Sequence, residues 1–187
     1  MDNSNTNIRP AKLGDIPGII IVLEQNTITN KSQDKKTLEA EGFLLHTFTT
    51  ADLTKMISEP QNHIVLVAME DDEVIGYTMG YDLSINQPEG IENVPHLPET
   101  PTDFLTTKNI FHRHVAVKLN KRGKGAQLSR AFFQEAAARK YKYAIANIVQ
   151  APFKNLVSIR VHERLGYKEI GTVISHDITY GIYIKEL

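Results

Sequence analysis

Residues 118–140 read KLNKRGKGAQLSRAFFQEAAARK, and their core, RGKGAQL (122–128), decides how the rest of the chain is read. Upstream lies an apolar run, HVAV (114–117). Downstream, Leu128, Phe132 and Ala136 recur one turn apart on one helical face with Ala131 beside them, which predicts an amphipathic helix over 125–140. The order is strand, glycine-bearing turn, helix. A helix start leaves its first N–H groups without intrahelical partners at the positive end of the helix dipole, and such a turn binds phosphate. Gly123 and Gly125 let the backbone approach an anion, while Arg122 and Lys124 add charge. A Walker loop needs GxxxxGK followed by Ser or Thr, and a dinucleotide fold needs GxGxxG; neither is present. By itself RGKG fits either a phosphate site or a basic surface turn.

Outward from this stretch the pattern is alternating helices and strands. A first strand is expected over 8–11, and Asp15 is placed to cap a helix with an apolar stripe of Ile16, Ile19, Ile20 and Leu23. A charged helical piece ends at Gly42, and Thr50 is placed to cap a short helix carrying Leu53, Met56 and Ile57. HIVLVAM and VIGYTMGYD flank the turn DDE, so 64–69 and 74–81 should pair as an antiparallel hairpin. Residues 83–108 hold four prolines and no period, and read as a long loop. From Asp82 through Thr107 come five carboxylates (Asp82, Glu89, Glu92, Glu99, Asp103) and no Lys or Arg. That acidic run is either an attractant for a cationic substrate or a solvated insertion. Beyond it come the strand IFHRHVAV and then YAIANIV, apolar enough for a central strand. A helix starts at Asn155 and stops at Gly166, and two further strands follow, the last with Ile178, Tyr180, Ile182 and Ile184 alternating.

Composition bounds the function. At 187 residues the chain is sized for one domain, 1–187, of α/β (α+β) class. Hydrophobic residues at 41% and charged residues at 23% are ordinary for a globular protein and exclude a disordered or fibrous class. No cysteine is present, which removes disulfides, thiolate metal sites and a cysteine nucleophile. A net charge of −1 favours neither a nucleic-acid backbone nor an anionic membrane. The polar N-terminus and the lack of a long apolar stretch lead us to expect a cytoplasmic protein.

The paired stretches VAVKLNKRGKGAQL and NLVSIRVHERLGY, some thirty residues apart, resemble the two motifs of the GNAT superfamily of acyl-CoA N-acyltransferases. The likeness runs well from Ile64 to Leu187 and loosely through the first sixty residues. It implies a mixed central sheet of six to seven strands flanked by about four helices, and transfer of an acetyl group from acetyl-CoA to a primary amine with no metal. In that resemblance Arg122 matches the leading Arg, and the amides of Gly123, Lys124, Gly125, Ala126 and Gln127 cradle the CoA pyrophosphate. Gln127 departs from the family's Gly or Ala. Val115, Ala116 and Val117 lie on the strand that pairs with the pantetheine arm, where a main-chain amide polarises the thioester carbonyl. Asn155 and Ser158 match the second motif, Asn155 as a pantetheine contact, a helix cap or both.

His162 stands where the family carries a Tyr that protonates the departing thiolate. It is either an acid, a neutral N–H holding the sulfur, or a packed helix residue. Tyr167 takes the family's Phe position and should be core. The attacking amine must also lose a proton, and His112 and His114 are candidates to accept it. Two residues apart, they should face one way, with Phe111, Arg113 and Val115 facing the other, unless a β-bulge reverses that parity. Each also reads as an ordinary polar residue on a strand, and Glu92, Glu99 and Asp103 of the loop are further candidates. Two histidines at i, i+2 with no third ligand make a poor metal site.

A small cationic amine such as a polyamine is the expected acceptor, with a peptide amine as an alternative. The missing Tyr and Gln127 also permit a catalytically inactive acyl-CoA sensor. Pairing of the C-terminal strand edges would allow a homodimer.

Overall fold

The computed structural model describes residues 6–31, 34–85, 88, 91–121 and 123–187; Arg122 and Glu89, both singled out above, lie outside the described residues. Seven strands form one sheet: β1 (Asn7–Pro10), β2 (His63–Glu70), β3 (Glu73–Asp82), β4 (Asn109–Val117), β5 (Tyr143–Ala151), β6 (Lys168–Ser175) and β7 (Ile178–Glu186). Their order is β1-β2-β3-β4-β5-β7-β6, and only the β4–β5 contact is parallel. The helices are α1 (Ile16–Asn26), α2 (Lys35–Glu41), α3 (Thr50–Ser58), α4 (Gly125–Ala138) and α5 (Leu156–Arg164), the five helical segments read from the pattern, where the resemblance implied about four.

Local chemistry explains most boundaries. Asp71–Asp72 and His176–Asp177 take positive φ at both positions, as tight two-residue hairpins require, and so join β2 to β3 and β6 to β7. Gly166 (φ 88°) ends α5 in the left-handed conformation expected of it. Two caps differ from expectation. Asp15 does not cap α1; its carboxylate is held by Arg9 (2.7 and 2.9 Å) and the Lys12 N–H, because a bidentate guanidinium outcompetes a helix amide. α3 is capped by Thr49 rather than Thr50, in a reciprocal box with Asp52.

Helices cover the sheet on both sides. On one face α1 and α3 bury Ile19, Leu23 and Leu53 against Tyr77, Met79 and Phe111. On the other, Phe132, Phe133 and Ile159 pack on Ile64, Ile110, Ala144 and Tyr183. The segment read as a patternless loop contains short 3₁₀ turns at Ile91–His96 and Phe104–Thr106 and sinks Ile91, Val94 and Phe104 into the first face. Three apolar anchors hold it in place of a backbone ladder.

Gly80 sits where β3 meets a bulge in β4, and a Cβ there would lie 2.3 Å from the Phe111 carbonyl oxygen and 2.5 Å from the Phe132 ring. Gly80→Ala should therefore cost about 2–3 kcal/mol, read as a lower urea midpoint at unchanged slope. A wild-type midpoint would show that the bulge yields freely.

Candidate active site

β4 and β5 pair at only three positions, Asn109↔Tyr143, Ile110↔Ala144 and Phe111↔Ile145, and then separate. Beyond Phe111 the edge of β4 that faces β5 has no partner strand, over about 20 Å for six residues at 3.3 Å each. Residues 112–115 and 146–149 form opposing walls of the resulting gap. Backbone groups at such an edge need hydrogen-bond partners from outside the sheet.

A bulge decides what faces the gap. Against β3, Met79 pairs with His114 and Gly80 with His112, so Arg113 is an extra residue on β4. One extra residue reverses the alternation. His112 and His114 therefore do not face one way. His112 stacks on Phe132 of α4 (4.5 Å between centroids), while His114 lies against Phe48 (5.0 Å) and Tyr77 on the opposite side of the sheet.

Both histidines are buried and engaged. The His114 carbonyl can only accept, so the Thr78 hydroxyl donates to it (3.1 Å) and accepts from His112 Nε2–H (2.9 Å). That leaves His112 Nδ1 to accept from the Tyr167 hydroxyl (3.2 Å). His114 Nδ1 meets the Tyr77 hydroxyl at 3.3 Å. Burial pushes both imidazoles well below their ordinary pKa; His162 and His114 add to this at His112, Arg113 and His46 at His114. Tyr167 is core as expected, but with a polar duty for its hydroxyl.

His162 is oriented by its own helix. Its Nδ1 lies 2.7 Å from the Ser158 carbonyl, so Nδ1 carries the proton and Nε2 keeps a lone pair. Nε2 has no protein partner among the described residues. Burial lowers the pKa to about 4, the Ser158 carbonyl acting in the opposite direction. His162 is thus neutral near pH 7, with its basic nitrogen unoccupied.

The glycine turn stands at the far end of the strand edge. Gly123 has φ 97°, and α4 begins at Gly125. The Gln127 N–H turns back to the Lys124 carbonyl (3.1 Å), whereas the amides of Gly123, Lys124, Gly125 and Ala126 bond to no described residue. A cleft of about 1390 Å³, open solvent included, joins this turn to the split and is lined by Val115, Ala116, Val117, Gly123, Gly125, Ala126, Asn155, Ser158 and His162, among others. Lys124 and Gln127 are not in its wall, and the Gln127 side chain is exposed. Asn155 does two things: its Oδ1 accepts from Ser158 N–H (3.2 Å), capping α5, and its Nδ2 donates to the Phe43 carbonyl (2.8 Å).

A second cavity, about 610 Å³ with its open mouth, adjoins the first and shares Phe43, Leu44, Val115, Asn155, Ser158 and His162 with it. Its wall holds His46, His112, Arg113, His114, Asn147 and Tyr180. The segment after Gly42 roofs the junction, pinned by Leu44 N–H to Asn26 O (2.8 Å) and Ile28 N–H to Leu44 O (2.9 Å). Sequence reasoning missed His46, Thr78, Tyr180 and this roof. A parallel bridge between Thr27 and Leu44 has no periodicity to announce it. Among the described residues no group of three or more His, Cys, Asp or Glu could hold a metal, and no helix is long and apolar enough to cross a membrane.

Three neutral buried histidines carry a pH signature. Their folded pKa values lie below about 6.5, the unfolded value, so the unfolded chain binds more protons as pH falls. Stability should be full above pH 6.5 and decline toward pH 4, by about 3 kcal/mol from His162 alone. Urea titrations across that range measure it, and His162→Gln should flatten the decline. An unchanged slope in that variant would assign the effect elsewhere.

No protein-family model matches the chain, and no curated protein does. Solved structures do. An N-acetyltransferase from Staphylococcus aureus Mu50 is 20% identical, with 98% of this chain and 99% of that chain covered at a TM-score of 0.65. The PaiA N-acetyltransferase of Thermoplasma acidophilum, solved in complex with coenzyme A, is 12% identical over 98% and 99% of the two chains, at 0.66. A GNAT-family acetyltransferase from Streptococcus pneumoniae is 14% identical over 98% and 100%, at 0.62. The split sheet with its glycine turn is thus the fold of the GNAT N-acetyltransferases.

Proposed function

We propose that this protein moves an acetyl group from acetyl-CoA to an amine by direct attack in a ternary complex. The observation that carries this reading is the β4 edge without a partner strand, which runs from beside His162 at the junction of the two cavities to the amides of the glycine turn that bond to no described residue. The pyrophosphate sits on the amides of Gly123, Lys124, Gly125 and Ala126, with Arg122 adding charge as the sequence suggests. The pantetheine arm lies along Val115, Ala116 and Val117 as an added strand, and a main-chain N–H of that strand polarises the thioester carbonyl.

The proton balance then falls to His162. The amine nitrogen attacks the thioester carbon, the C–S bond breaks, and the nitrogen must lose a proton while the sulfur gains one. His162 Nε2, unprotonated at the junction, takes the proton from nitrogen and passes it to the thiolate, beginning and ending neutral. An imidazolium with a pKa of about 4 gives its proton readily to a thiolate whose thiol has a pKa of about 8.5. His112 and His114, with ring nitrogens held by Thr78, Tyr167 and Tyr77, position the β4 wall in this scheme.

Thermal unfolding with acetyl-CoA, followed by thiol release against a panel of amines, tests the reading. Stabilisation with release is expected; stabilisation without release from any amine would favour an acyl-CoA-binding module, and no stabilisation would remove the phosphate-turn assignment. Gly125→Asp should fold, because an acidic residue suits a helix N-terminus, yet lose the acetyl-CoA shift. His162→Phe should lower kcat about 100-fold or more with acetyl-CoA affinity little changed. Equal losses in both would leave His162 a packing residue.

A further inference from the structure

We infer that the acceptor is a small amine that carries its own carboxylate, and that Arg113 selects it. The inference rests on the transfer reading above and names the substrate class of that site.

The acceptor-side cavity has a one-sided charge. Its wall includes the cation Arg113, neutral His112, His114 and His162, and not one Asp or Glu. The larger cleft has Glu41 alone, and Lys31 pairs with it at 3.5 Å. The described carboxylates of the acidic run line neither cavity. Asp82 accepts from Tyr141 and Ser84, and Asp103 is bound by Lys142 and Tyr143. These partners cluster where β4 and β5 are still paired, at the closed end of the split. A polyamine entering the cavity would meet cationic and neutral groups without a counter-charge, contrary to the expectation drawn from composition.

Arg113 is the complementary half of this observation. It is half-buried, with its guanidinium carbon 5.8 Å from the ring centroids of both Phe48 and Phe111. Its Nε is buried without a hydrogen-bond partner, its charge acts on the nearby neutral Tyr81 hydroxyl, and no described carboxylate forms an ion pair with it. A partly desolvated guanidinium without a counter-ion is costly unless something supplies one. Its planar fork fits a carboxylate, and two aromatic rings lie within cation–π reach of it. The bulge places Arg113 at the mouth of the split, two residues from Val115, whereas the phosphate turn begins ten residues on at Gly123. Residues 43–46 roof this cavity and are pinned to α1, which favours a small acceptor.

The test compares the common amino acids with their decarboxylated amines, spermidine serving as the cationic control, in thiol-release assays. The amino acids should be preferred at least tenfold in kcat/KM. Arg113→Gln should bring that ratio toward one with acetyl-CoA affinity unchanged, and Arg113→Lys should keep part of it. A second arm needs no turnover: N-acetyl amino acids should raise the melting temperature of the CoA-saturated protein, their neutral N-acetyl amine counterparts should not, and Arg113→Gln should abolish the difference. Preference for spermidine or the decarboxylated amines would overturn the inference while leaving acetyl transfer intact. A carboxylate preference undiminished in Arg113→Gln would overturn the role of Arg113. Arg113-dependent binding of N-acetyl amino acids without any transfer would keep the inference and remove the catalytic reading; neither binding nor transfer would remove both.

Discussion

β4 and β5 run parallel in register for three residues and then part, and the site exists because they part. β5 stays in its antiparallel ladder with β7 for most of its length, so it is β4, bulged at Arg113, whose course changes. A sheet that opened in this way without compensation would expose unpaired backbone to an apolar interior. Here the opened edges line cavities, and the segment after Gly42 spans them, tied to the end of α1 and the start of α5. A ligand arm of strand-like geometry supplies what the missing neighbour strand does not.

The bulge sorts side chains as well as backbone. One extra residue sends His112 toward α4 and α5, and His114 toward Tyr77 and Phe48. Three imidazoles, those of His112, His114 and His162, are kept uncharged by burial in and beside the same wall, at a cost in stability that grows with acidity. Of the three, His162 lines both cavities, and its Nε2 has no hydrogen-bond partner among the described residues. Thr78 and Tyr167 take up both ring nitrogens of His112, and Tyr77 meets Nδ1 of His114, so position and partners rather than residue type separate the three.

Much of the architecture was legible in the sequence because it follows from period and punctuation. The strand, glycine turn and helix around RGKGAQL, the Asp71–Asp72 turn and the stop at Gly166 each rest on interactions among residues close in the chain. What was not legible depends on distant partners. Asp15 left its helix for Arg9, and no spacing rule marks the choice. The bulge at Arg113 leaves the apolar pattern of β4 intact, so the direction of each histidine required the register against β3. Composition suggested a use for the acidic run as an attractant, yet Tyr141, Lys142 and Tyr143 take up two of its carboxylates. The roof over the junction is held by backbone bonds across gaps of more than a dozen residues.

Asn155 lines both cavities, caps the helix that bears His162, and holds the Phe43 carbonyl of the roof, all through one amide. A movement of the roof and a movement of that helix are therefore mechanically joined. A ligand that tightened this joint from one cavity would change the other cavity too, with a coupling that is the same for either order of binding. One buried amide thus serves as a shared pin for two walls, and its loss would loosen both at once.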